Sequence, residues 1–143
     1  MSYEFKQTYL SPKLIRRSGW CSVATISHWC PACEQVHDFA VEQPFGNGAR
    51  WSWDGNAQHP TFSPSMNIKI GTWPKGIKRE GEVEICHYFL YDGVLKYLTD
   101  CTHSMRGQNV VLPDLPFRKV GSDWFLGNTV VEGHPDGKAD ARP

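Results

Sequence analysis

Short runs of alternating apolar and polar residues, separated by turn-forming residues, run along this chain and predict strands. The strongest signal is VEICHYFLYDGVLKYLTDC, residues 83–101, where two strand-forming runs flank Asp92-Gly93. That pair favours a two-residue hairpin turn. With Tyr91 facing Val94, the pairing extends back until Cys86 faces Thr99. Side-chain alternation then puts Cys86, Tyr88, Leu90, Leu95, Tyr97, Thr99 and Cys101 on one face. His87, Phe89, Tyr91, Val94, Lys96, Leu98 and Asp100 share the other. WSWDGNAQHPTF reads as a strand, an Asp54-Gly55 turn and a second extended piece. NVVLPDLP and DWFLGNTVV supply further short strands, the first of them ended by Pro113 and Pro116. Helical periodicity is scarce, with room for a turn or two only within 10–17 or 36–41. The expected fold is mainly β, a single compact domain over residues 1–132 with little helix. Residues 133–143, polar and rich in Gly and Pro, read as a flexible tail.

Composition narrows the function classes. A chain of 143 residues is large enough for one domain with a real core. Lys plus Arg and Asp plus Glu are 15 each, so the net charge is zero. This does not favour nucleic acid as a partner, since domains that grip a phosphate backbone carry a basic excess. The basic spots at Lys13, Arg16, Arg17 and 75–79 read as solvated surface. No apolar run approaches the ~18 residues that span a bilayer, and no signal-type stretch opens the chain. A cytoplasmic protein is therefore expected. In that reducing compartment five cysteines point to metal rather than disulfides.

HWCPACEQVH, residues 28–37, concentrates the candidate chemistry. Cys30-Pro31-Ala32-Cys33 has the spacing of a zinc knuckle. A redox CxxC opens a helix in a βαβ pattern, and no such pattern surrounds this one. Glu34 stands where knuckles often carry glycine for a positive φ. Two thiolates do not close a zinc site, and the hairpin offers two more. The simplest set is Cys30, Cys33, Cys86 and Cys101, closed and therefore structural. His103 continues the Cys101 face if the strand persists and could replace a cysteine; His87 could do so only through a bulge or a register shift. Cys21 reads as a small hydrophobe. His28 and His37 flank the knuckle and read as solvated or supporting residues, although either could bind metal.

His59, Asp100 and His103 are candidates for catalysis. His59 lies in HPTFSPS, stiffened by Pro60 and Pro64 and surrounded by the hydroxyls of Thr61, Ser63 and Ser65. The plainer reading there is a turn capped by local side-chain bonds. Asp100 and His103 cluster with His87 around the hairpin. His87, Thr61 and Ser63 are candidates for supporting or surface roles.

Taken in order, these motifs resemble a family of small phage and prophage proteins, many of which carry the label ammonia monooxygenase. The residues are Cys30 to Cys33, Trp51 to Trp53, Pro60-Thr61-Phe62-Ser63-Pro64-Ser65, Cys86-His87-Tyr88-Phe89, Gly93, Asp100-Cys101-Thr102-His103, and Gly107-Gln108 before 110–113. Glu34 and Met105-Arg106 depart from the Gly and Leu-Ala of that pattern. The resemblance implies a phage-encoded zinc protein in a bacterial cytoplasm, with no settled activity. The oxygenase label fits poorly, because that chemistry is associated with copper and a membrane assembly, while this chain shows no membrane span and a thiolate-rich, zinc-like ligand set. The favoured reading is a non-enzymatic module in which structural zinc supports a surface for a host protein or small ligand, modulating a host system such as defence. The alternative is a zinc-dependent hydrolase of a nucleotide or nucleic acid, which needs an open metal position and a base such as Asp100, His59 or Glu34.

Overall fold

The computed structural model describes residues 4–71 and 83–135. The strands are β1 (Lys6–Tyr9), β2 (Ile15–Ser18), β3 (Thr25–Cys30), β4 (Gln35–Phe39), β5 (Ser52–Trp53), β6 (Phe62–Gly71), β7 (Val83–Tyr91), β8 (Val94–Tyr97), β9 (Asn109–Val111), β10 (Arg118–Val120), β11 (Asp123–Leu126) and β12 (Thr129–Glu132). They form a seven-stranded sheet, ordered β10-β11-β12-β1-β2-β3-β4, and a five-stranded sheet, ordered β5-β6-β7-β8-β9. Among the described residues, the β1–β12 pairing is the only parallel one, and the others are antiparallel. Residues 36–41, where the sequence left room for a helical turn, contain most of β4 instead. Pairing with β3 claims their backbone, and alternation buries His37 and Phe39 while Val36 and Asp38 stay half-buried.

The core lies between the sheets. Ile26, Cys30 and Phe39 of the larger sheet pack with Phe62, Met66, Cys86, Tyr88, Leu90, Leu95 and Tyr97 of the smaller one. A second cluster joins Ile15, Leu126 and Val131 to Leu115 of the β9–β10 connection. The molecule is thus mainly β and a single domain.

The β7–β8 hairpin turns at Asp92-Gly93, with φ of 50° and 75°. Two positive φ values are what the tight hairpin turn of right-handed twist requires. Gly93 is also constrained from outside, since a Cβ there would lie 3.2 Å from the His59 Cα. The predicted register holds from Tyr91–Val94 to Tyr88–Tyr97 and then stops. Beyond Tyr97 the chain leaves the ladder. The Leu98 N–H still donates to the His87 carbonyl at 2.9 Å, but the Cys101 N–H turns back onto the Leu98 carbonyl. Cys86 therefore does not face Thr99, and its ladder partner is Ile68 of β6.

One irregularity matters for the site. Phe62 faces Leu90 and Met66 faces Tyr88, so Ser63, Pro64 and Ser65 all stand against Phe89. A bulge of this kind re-aims side chains and often lies beside functional groups. At the far end, His134 stacks on Trp124 with ring centroids 4.1 Å apart. The expected tail thus begins with an anchored residue; 136–143 lie outside the described residues, as does the basic spot at 75–79. Among the described residues, no helix is long and apolar enough to cross a membrane.

Candidate active site and metal centre

The knuckle is the tip of the β3–β4 hairpin. Glu34 donates its N–H to the Cys30 carbonyl at 2.7 Å, and the Cys33 N–H points to the Cys30 sulfur at 3.4 Å. Glu34 adopts φ of 56°, the left-handed conformation glycine would take freely. A side chain there costs about 1 kcal/mol. The turn aims both thiols inward, where Cys86 of β7 meets them. Cys30, Cys33, Cys86 and a ring nitrogen of His37 all lie within 4.8 Å of one another. The Cys30 and Cys86 sulfurs are 3.9 Å apart, and two sulfurs each ~2.3 Å from a tetrahedral ion are separated by about 3.8 Å. The four residues fit one metal ion.

Cys101, expected in this group, lies outside it. Because the strand ends at Tyr97, the Cys101 thiol folds back onto β7, accepting from the His87 N–H at 3.2 Å and donating to the His87 carbonyl at 3.1 Å. His37 occupies the fourth position. Cys21 is half-buried in a loop and donates its thiol to the Val23 carbonyl.

A hydrogen-bond chain prepares His37 as a ligand. The Trp29 carbonyl can only accept, so His28 Nδ1 donates to it at 3.0 Å. His28 Nε2 then accepts from the Tyr88 hydroxyl at 2.6 Å. With its proton so used, the hydroxyl accepts from His37 Nδ1 at 3.2 Å. His37 Nε2 is left with a lone pair, and it is buried without a hydrogen-bond partner. A buried polar atom in that state is costly, and a metal ion resolves the cost. Burial, with the neighbouring His28, holds the His37 pKa down at about 4, so the ring is neutral and able to ligate.

The thiols make the same demand. Hydrogen bonds from Cys33 and Cys86 pull the Cys30 pKa far down. Their return effect raises Cys33 to about 12 and pushes Cys86 up as well. One thiolate is thus shared by three sulfurs, two of them buried and that of Cys33 half-buried, and a second ionises beside it only at a cost that a cation would offset. Tyr97 bounds the centre, its hydroxyl 3.1 Å from the Cys30 sulfur. His103 packs edge-on against Tyr97 at 4.7 Å and accepts from the Met105 N–H, leaving its Nε2 buried and without a partner. It adjoins the centre without joining the four.

On the opposite face of β7 a second constellation forms. Ser65 Oγ lies 3.1 Å from His87 Nε2, and His87 Nδ1 lies 3.0 Å from Asp100 Oδ2. The carboxylate accepts from Nδ1, which leaves Nε2 to accept the serine proton. Hydroxyl, imidazole and carboxylate so ordered can activate the oxygen as a nucleophile. Each member is held by local structure. The bulge turns Ser65 toward His87, and the Trp51 indole donates to the Ser65 carbonyl at 3.2 Å. The Cys101 thiol grips both backbone groups of His87 and sits next to Asp100 in the chain. Thr102 binds the Ile85 N–H through Oγ1 at 2.9 Å. A cleft of about 470 Å³ opens beside Ser65, lined by Asn67, Asp38, Trp20, Phe45 and Trp51 among others.

Of the other residues singled out in the sequence, Thr61 fastens the hairpin turn by accepting from the Asp92 N–H at 2.8 Å. His59 is exposed in a turn where Asn56 Oδ1 accepts from the N–H groups of Gln58 and His59. This is the local capping that the plainer reading anticipated. Ser63 is exposed within the bulge. Ser65 and His37 carry more than the sequence assigned them. The signals were present, a hydroxyl-rich HPTFSPS and a histidine four residues past the knuckle, but neither specifies its distant partner.

A Ser-His-Asp chain thus lies on a β scaffold beside a thiol-rich pocket that fits a metal ion. The family model that matches is the bacterial ubiquitination-like system serine protease, BubE, over residues 4–98, and the chain belongs to this family. The match includes Ser65 and His87 and ends two residues before Asp100. The family is thus one of a bacterial system, whereas kinship with phage proteins rests on the motifs alone. No curated protein and no solved structure matches the chain.

Proposed function

We propose that this protein is a serine peptidase that cleaves the acyl bond at the terminus of a ubiquitin-like modifier in the bacterial cytoplasm. The observation that carries the reading is the continuous bond chain Ser65–His87–Asp100, in a family described as serine proteases of a ubiquitination-like system. Ser65 Oγ attacks the scissile carbonyl carbon as its proton passes to His87 Nε2. Asp100 stabilises the imidazolium. Collapse of the tetrahedral intermediate breaks the bond to the leaving amine or alcohol, which takes the proton from His87. Water, deprotonated by His87, then hydrolyses the Ser65 ester and regenerates the hydroxyl.

In this reading the metal is zinc and structural. Three thiolates and one imidazole suit zinc, and four protein ligands leave no open position for a metal-bound nucleophile. That disfavours the zinc-dependent hydrolase of nucleotides. A non-enzymatic module acting on a host system has its own support, because the closed four-ligand cluster needs no reaction to explain it. A fluorophosphonate probe separates the two. It should label the wild-type protein at Ser65, located by mass spectrometry, and leave Ser65→Ala unlabelled. Equal absence of labelling in both would return the protein to the module reading.

A further inference from the structure

The outward face of the smaller sheet carries more than the triad. Across β7, β8 and β9, Tyr91 lies beside Val94 and Val94 beside Val111, while Phe89 lies beside Lys96. Phe89, Tyr91 and Val111 are 43%, 59% and 72% exposed. The alternate residues of the same ladder, Tyr88, Leu90 and Leu95, are buried in the core. The core is therefore complete without the three exposed side chains. Large apolar groups gathered on one solvent face mark an interaction surface.

This patch is continuous with the catalytic residues. Alternation puts His87 and Phe89 on one face, about 7 Å apart, with Tyr91 about 7 Å further on. On the other side of the triad lies the cleft lined by Trp20, Phe45 and Trp51, bounded by β4 and β6. Ser65 and His87 thus stand between two apolar surfaces. A cleft holds a chain terminus, whereas an open sheet face suits the body of a folded protein.

We infer that Phe89, Tyr91 and Val111 dock the folded body of the modifier whose terminal carbonyl is presented to Ser65, an inference that rests on the serine peptidase reading. The partner surface is apolar at its centre, with an acidic group to meet Lys96. A short peptide has no body to cover the patch, so the patch distinguishes a whole modifier from its tail.

The probe is the ubiquitin-like modifier of the same bacterial system, carrying a terminal coumarin amide, alongside a hexapeptide of its terminus with the same amide. Titrated against the Ser65→Ala chain, the whole modifier should bind about tenfold more weakly once Tyr91→Ser and Val111→Ser are added. In the active chain, kcat/KM for the whole modifier should fall by a similar factor while the rate on the hexapeptide stays constant. Val111→Ser alone, at the most exposed position, should give a smaller shift in the same direction. An unchanged Kd overturns the docking surface. So does a change from dimer to monomer with unchanged Kd, which would make a second copy the occupant. Weaker binding by the variants of a chain that cuts neither probe would keep the docking surface and remove the catalytic reading.

Discussion

Cys86 and His87 are consecutive residues of β7 whose side chains serve opposite environments. The inward group is buried except at the half-buried Cys33, and its polar atoms are incomplete: three sulfurs share one thiolate, and His37 Nε2 has no partner. The outward group is hydrogen-bonded from end to end and open to solvent, with the His87 and Asp100 side chains 21% and 53% exposed. Incompleteness in a buried cluster demands a ligand. The outward group, in contrast, needs no ligand to satisfy it, and its Ser65 lines an open cleft. Strand alternation lets one backbone support both, so an ion bound on one face would be linked through β7 to the histidine on the other.

The sharpest separation comes from Asp100→Asn. It should lower kcat by about 10²–10⁴-fold through loss of the correct imidazole tautomer, with the metal content, read by elemental analysis, unchanged. A parallel loss of metal would show that the two faces are not separate.

Removing the ion tests the coupling in the other direction. Cys86→Ser, or a strong chelator, should release about one metal per chain and lower the melting temperature by several degrees or abolish the cooperative melt, since the binding free energy of a structural metal is folding free energy. Activity should fall with it, since His37 also lines the cleft beside Ser65. Full activity in metal-free protein would contradict this link.

Acid should act on the inward group first. The folded-state pKa of His37, about 4, lies below its ordinary value of 6.5, so the unfolded chain binds this proton more readily. The stability contribution is complete above about 6.5 and declines as pH falls toward about 4. Proton competition for the metal works in the same direction. Melting curves and chelator-detected metal release from pH 8 to pH 4 should change together.

The smallest expected effect concerns Cys101. Cys101→Ser retains a donor and an acceptor for the His87 backbone and should keep metal and most activity. Cys101→Ala should keep the metal but lower kcat severalfold at constant KM, leaving a buried carbonyl less well satisfied. Metal loss in either variant would make Cys101 a ligand after all.

Much of the architecture was legible because it depends on local rules. Asp92-Gly93 set the hairpin and its register through Tyr97, and period-two alternation was enough to sort Cys86 and His87 onto opposite faces. The CxxC spacing, with Glu34 forced to a positive φ, marked the knuckle. Where the strand would end was not legible. That depended on Cys101 and Thr102 replacing ladder bonds with side-chain bonds to β7, a competition no periodicity reports.

By itself, then, the sequence determined the β-rich class, the main hairpin, and three of the four residues that now surround the metal position. It did so through turn chemistry, period-two alternation and ligand spacing, all of which act within about twenty residues. Tertiary packing decided the rest. The contact between sheets brought His37 of β4 to Cys86 of β7, with Tyr88 fixing the tautomer. The bulge in β6 turned Ser65 onto His87, and a loop beyond β8 delivered Asp100. Such meetings join residues distant in sequence, and their geometry is set by how whole sheets pack and where ladders slip, to within the angstrom that ligation and proton transfer require.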